Sequence, residues 1–152
     1  MSIHYESIQQ IEAIVQGFEQ CTTPKDDFSH ASHLTVALWY LCHNSFDGAA
    51  AKMRNGLFRF IKHHDIPPQK YNETITMFWL DAVARFVAGD CSSTDKKTKR
   101  LASPENQLVS VANELIQALG QPGLLFDYYS EGLINSPATK VEWLPPDRKQ
   151  LG

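Results

Sequence analysis

The sequence predicts an all-α fold, a single-domain helical bundle of about five main helices with short helical elements near the C-terminus. Three observations predict it. Apolar residues recur at three- and four-residue steps along most of the chain. The breaks between periodic runs carry Ser, Asp, Pro or Gly, as helix starts and stops do. No alternating strand pattern, internal repeat or low-complexity tract is present. The 152 residues, 43% hydrophobic and 20% charged, suit one core, so 1–152 reads as one domain.

In the first run Ile8, Ile11, Val15 and Phe18 share a face, and Thr22-Thr23-Pro24 ends it. The second run starts near Asp26 or Asp27 and reaches about residue 43, with His30, His33, Leu34, Ala37 and Leu41 on one side. Residues 34–42 are apolar nearly all round. That helix is therefore expected at the centre of the bundle, with Cys42 a buried small hydrophobe. Ser45 is the expected cap of a third helix over residues 46–63. Its stripe is Phe46, Ala49, Ala50, Met53, Leu57, Phe60 and Ile61, while Lys52, Arg54, Asn55, Arg59 and Lys62 are expected in water.

Pro67-Pro68 closes that unit. A fourth helix begins near Pro68 or Gln69 and runs to about residue 87. It is apolar on two faces and is the second candidate for a central position. Residues 89–102 are polar and read as a mobile surface loop, its basic run a solvated one. Ser103-Pro104 opens the fifth helix, which carries Leu108, Val111, Ala112, Leu115 and Leu119, and Gly120 and Pro122 stop it. Short elements follow at 124–129 and from Ser136-Pro137 towards Trp143.

The formal charge of −3, from 14 basic and 17 acidic residues, gives no reason to expect nucleic acid or an anionic membrane as partner. The longest apolar stretch, 36–42, falls far short of the ~20 residues that span a bilayer. Met1-Ser2-Ile3-His4-Tyr5-Glu6 lacks the basic and apolar regions of a signal peptide. Cys21, Cys42 and Cys91 are odd in number and form no C-x-x-C. The expected compartment is the reducing cytoplasm.

The chemistry-bearing residues are few. His30 and His33 form H-x-x-H on a helix, so both imidazoles project from one side, and that side is the inward one. Glu73 stands at the start of an otherwise apolar helix. If the two helices pack together, two imidazoles and a carboxylate converge and leave coordination positions open, as in catalytic zinc and non-haem iron sites. His30, His33 and Glu73 are then candidate ligands of one divalent metal, zinc or iron, and Glu73 is the candidate catalytic group, as ligand or general base. Tyr71, Asn72, Thr76 and Trp79 are candidate ligand-binding residues.

The plain alternatives are two hydrogen-bonded structural histidines and a first-turn carboxylate favoured by the helix dipole. Trp79 is equally a core aromatic. His43, His63 and His64 fall at helix C-termini and are expected as caps or solvent-exposed groups. No E-x-x-H, G-x-S-x-G, P-loop or G-x-G-x-x-G occurs, which excludes the ferritin-like di-iron, nucleophile-elbow and nucleotide-loop classes.

Phe28-Ser29-His30-Ala31-Ser32-His33-Leu34, followed by an apolar helix, resembles the F-x-H-x-x-H-L opening of a family of small, largely uncharacterised bacterial proteins. Tyr71-Asn72-Glu73-Thr74-Ile75-Thr76 resembles the family's Y-H-E-T-x-T motif, with Asn72 in place of the His. Tyr128-Tyr129-Ser130 through Leu133, Ser136 and Ala138 to Trp143 and Pro146-Asp147 is similar to its C-terminal pattern. The resemblance spans nearly the whole chain. It implies one all-α domain in which His30, His33 and Glu73 belong to a single constellation. Asn72 departs from the pattern, and an amide is a poor substitute for a third imidazole.

The leading expectation is a small-molecule-binding protein with an internal His/Glu pocket that takes a divalent metal; whether it catalyses a reaction is left open. The alternative is a non-catalytic interaction or regulatory protein in which the cluster is structural and the segment around Trp143 is the working surface. A homo-oligomer is compatible with both.

Overall fold

The periodic runs form α1 (Ile8–Glu19), α2 (His30–His43), α3 (Phe46–His63), α4 (Glu73–Cys91) and α5 (Pro104–Leu119). They are seen in a computed structural model that describes residues 4–67, 70–91 and 104–148. A 3-10 turn at Pro122–Leu124 and three one-turn helices follow, α6 (Leu125–Tyr128), α7 (Glu131–Ile134) and α8 (Ala138–Val141). No strand occurs among the described residues, and the fold is all-α as the periodicity predicts.

The capping side chains set the boundaries, and they move two of them. α2 starts at His30 rather than near Asp26, because the Ser29 hydroxyl accepts from the Ser32 amide at 3.2 Å. The residues before it close on themselves instead, with Asp27 N donating to Pro24 O and Ser29 N to Asp27 O. α4 starts at Glu73 rather than near Pro68, because Asn72 Oδ1 accepts from the Ile75 amide at 2.9 Å. Ser45 caps α3 as predicted, accepting from the Gly48 amide at 3.1 Å. α4 continues to Cys91, so the beginning of the expected 89–102 loop is helical. The rest of that loop and the Ser103 cap lie outside the described residues.

α1 and α3 both end on a left-handed residue that is not glycine, Cys21 at φ 59° and Asp65 at φ 55°. In each case the following amide reaches back over the last turn, Thr22 N to Gly17 O at 3.0 Å and Ile66 N to Ile61 O at 2.9 Å. This is the Schellman closure. The left-handed conformation costs a side-chain-bearing residue about 1–2 kcal/mol. Asp65 is exposed and gives up no packing. Asp65→Gly is therefore expected to stabilise the protein by about 0.5–1 kcal/mol after the unfolded-state entropy of glycine is deducted, read from urea unfolding.

α2 packs against α1, α3, α4 and α5, and Leu34, Val36, Ala37 and Leu38 are wholly buried. It is the central helix that its all-round apolarity predicts. Cys42 is an exception: it is exposed, on the last turn of α2 beside exposed His43, where the surrounding helices no longer cover every side. α4 is the second central helix, touching α2, α3, α5 and α8. α1 and α3 approach closely at Gly56, where a Cβ would sit 2.7 Å from Phe18 Cζ. That approach lets Phe18 stack between elements, with Phe28 at 5.0 Å and Phe60 at 5.9 Å between ring centroids.

Candidate functional site

The first turn of α2 carries both motif histidines, and they differ in what they touch. His30 Nε2 lies 3.0 Å from the carbonyl of Leu119, the last residue of α5. A carbonyl only accepts, so this nitrogen carries the proton. The His30 ring stands edge-on to Trp79 of α4, 4.4 Å between centroids. Burial lowers the His30 pKa, and the Leu119 bond opposes that. Trp79 is 4% exposed and is a core aromatic in direct contact with the candidate site.

His33 is half-buried as a residue, yet its Nε2 is sealed from solvent and has no hydrogen-bond partner. Burial pushes its pKa down to about 4, and the neighbouring His30 adds to the effect. The ring is thus neutral in the folded protein at neutral pH. An unpaired buried nitrogen of this kind costs about 1–3 kcal/mol.

Glu73 is engaged by other partners. Arg54 binds its carboxylate in bidentate fashion, Nε at 3.0 Å and Nη2 at 2.6 Å, and the Tyr71 hydroxyl donates to Oε1. The Arg54 bonds lead in lowering the Glu73 pKa, burial opposes them, and Tyr71 assists. Burial, then the Glu73 bond, raises the Tyr71 pKa. Arg54 was expected in water; its side chain is 37% exposed, and its guanidinium also joins α3 to the start of α4. The reason lies in its register: it follows Ala50 by four residues and precedes Leu57 by three, so it borders the buried stripe.

Asn72 and Thr76 are committed to the fold. Asn72 caps α4 with its oxygen, and its nitrogen donates to Ile134 O and Thr139 Oγ1, both at 3.2 Å. Thr76 Oγ1 donates to Asn72 O at 3.0 Å. The residue that departs from the resembled motif is therefore the tie between α4 and the α7–α8 region.

Among the described residues no group of three or more His, Cys, Asp or Glu side chains is placed to hold a metal ion. As they stand, His30, His33 and Glu73 do not fit the shared ion that their sequence pattern suggests. The Glu73 oxygens accept from Arg54 and Tyr71, and His30 Nε2 is turned to a carbonyl. An open surface groove on the α1 side is lined by Tyr5, Gln10, Ala13, Ile14 and Thr23 with His4, and it gathers none of the candidate residues.

Two further groups have surroundings that the pattern does not predict. Thr74 is fully buried; its hydroxyl donates to Glu142 O at 2.7 Å and accepts from Leu144 N at 3.1 Å. His64 was expected as a cap or a surface group. It is the C-cap residue of α3, its amide donating to Phe60 O at 3.1 Å, while its ring Nε2 is buried and unpartnered, 4.3 Å from Phe60 and 4.9 Å from His63 between ring centroids. His43 does act at a helix end, its Nδ1 on Trp39 O at 2.7 Å. Comparison of the chain with protein-family models, with curated proteins and with solved structures returns no match.

Proposed function

We propose that this protein binds a small molecule at the end of the bundle where α2 begins, with His33 as its polar anchor. One observation carries the reading: His33 Nε2 is buried without a partner, whereas Tyr71, Asn72, Glu73 and Thr76 all have partners within the fold. A bound molecule that hydrogen-bonds His33 removes the penalty of the unpaired nitrogen. Glu73, in this reading, holds α3 to α4 and takes no part in a reaction. The test screens untagged wild type and His33→Leu against one library of metabolites by thermal shift, with elemental analysis for zinc and iron. A compound that raises the midpoint of the wild type alone is the expected result. Hits that stabilise both proteins equally would sink the assignment, and one metal ion per wild-type chain with none in the variant would replace it with a metal site.

A second reading, a non-catalytic interaction protein, is favoured by the setting of Trp143. Trp143 is 39% exposed and Val141 80%. The Thr74 bonds pin the backbone immediately before and after Trp143. A large aromatic held in place at a surface is the type of residue that anchors protein interfaces. Small-molecule stabilisation that survives Trp143→Ala and fails in His33→Leu decides for the first reading.

A further inference from the structure

We infer that the Phe28 ring holds the place of the ligand, and that the ligand is an uncharged aromatic molecule bearing one hydrogen-bonding group, received among Phe18, Phe60, His33 and His64. The inference rests on the reading of His33 as a binding residue. It starts from two independent atoms. His33 Nε2 and His64 Nε2 are the buried side-chain nitrogens without partners among the described residues. One lies in the first turn of α2 and the other just past the last turn of α3, yet they border the same row of rings. Phe28 lies 6.1 Å from His33 and 5.2 Å from Phe60, and Phe60 lies 4.3 Å from His64. Phe28 also stacks on Phe18 at 5.0 Å with an 18° interplanar angle. Its ring gives His33 apolar contact and no hydrogen bond, and Phe60 stands between it and His64.

An aromatic ligand with a hydroxyl or ring N–H would repeat the stacking and also pair with an imidazole nitrogen. Phe28 is placed to yield to it. It sits in the linker between α1 and α2, outside any helix. The residues before it, Pro24 to Asp27, are exposed, and the linker's own backbone bonds, Asp27 N to Pro24 O and Ser29 N to Asp27 O, are local. Swinging the ring out opens no helix. The charge environment selects an uncharged ligand. Burial, with His30 adding, keeps His33 a neutral imidazole. An ionic head buried against a neutral imidazole would gain no ion pair from it and would keep its desolvation cost.

The probes are phenol, toluene and benzoate, titrated calorimetrically against the full chain, its Phe28→Ala variant and its His33→Leu variant. Phenol should bind the wild type about tenfold more tightly than toluene, the worth of one hydrogen bond at the upper end of its range. Phe28→Ala should gain about tenfold for phenol once the competing ring is gone, and His33→Leu should bring phenol down to the level of toluene. Phenol should also shift the ring proton resonances of Phe28, His33 and His64 in the wild type and leave those of His43 in place, a readout that needs no variant. Equal binding of phenol and toluene, no binding of phenol to wild type or Phe28→Ala, or shifts confined to other rings would overturn the inference. Benzoate bound more tightly than phenol and lost in His33→Leu would overturn the ligand class and leave the binding role of His33 standing. Library hits that ignore His33→Leu would instead remove that role.

Discussion

Thr74→Val is expected to destabilise the protein by about 2–3 kcal/mol, lowering its thermal midpoint by about 5–10 °C. Valine keeps the volume and the β-branch of threonine at this fully buried position and removes only the hydroxyl. That hydroxyl joins the start of α4 to the chain on both sides of Trp143, through Glu142 O and Leu144 N. Its loss leaves a carbonyl and an amide without their partner. Each costs about 1–3 kcal/mol when sealed and less where water reaches it. The segment beyond stays tied by other bonds: Tyr129 OH donates to Leu144 O at 2.7 Å, Arg148 N to Tyr128 O at 2.8 Å, and Ser130 N and Oγ to Asp147 at 2.8 and 2.6 Å. The release should therefore be local, with Trp143 fluorescence moving at lower urea than the helical signal. Thr74→Ser restores the hydroxyl and should recover most of the loss. A valine variant as stable as the wild type would show that the bridge contributes nothing.

The helices were legible because burial follows periodicity. The apolar run of 34–42 predicts a central α2, and four helices surround it. Pro104 and Gly120 mark the ends of α5 because one fits a first turn and the other follows a last. The starts of α2 and α4 were misplaced where a cap competes with an earlier Asp or Pro. Ser29 and Asn72 act through a side-chain bond to an amide three residues on, and the pattern of apolar residues carries no trace of that choice. The site was half legible. The inward stripe shared with Leu34 and Ala37 predicts that His33 is buried. The company of Glu73 was not predictable, because Arg54 and Glu73 are 19 residues apart and meet only through the packing of α3 on α4. Asn72 looked like a lost ligand when read in one motif. In the fold it spends its oxygen on a helix end and its nitrogen on the α7–α8 region.

Acid should destabilise the fold in two steps, and the first belongs to His33. Its pKa is held down to about 4 in the folded protein against an ordinary 6.5, chiefly by burial. The fold therefore favours the neutral ring. Above the unfolded-state value neither state binds the proton and the contribution of neutral His33 is complete. As pH falls below it, the unfolded chain takes up a proton that the folded chain refuses, until the folded value is reached. Stability is lost through that window, by about 3 kcal/mol at most. His30 is shifted down by burial as well and adds in the same direction. Glu73 follows at lower pH. Arg54 and Tyr71 hold its pKa below the ordinary 4.5, so its contribution is present above that value and disappears as the carboxylate is protonated in the fold. Urea unfolding of wild type and His33→Leu from pH 7.5 to 4.5 isolates the first step. The wild type should lose stability steadily below pH 6.5, and the leucine variant should keep only the shallower slope due to His30. Parallel curves for the two proteins would mean that the imidazole of His33 is as easily protonated in the fold as in the open chain, which its sealed, partnerless Nε2 forbids.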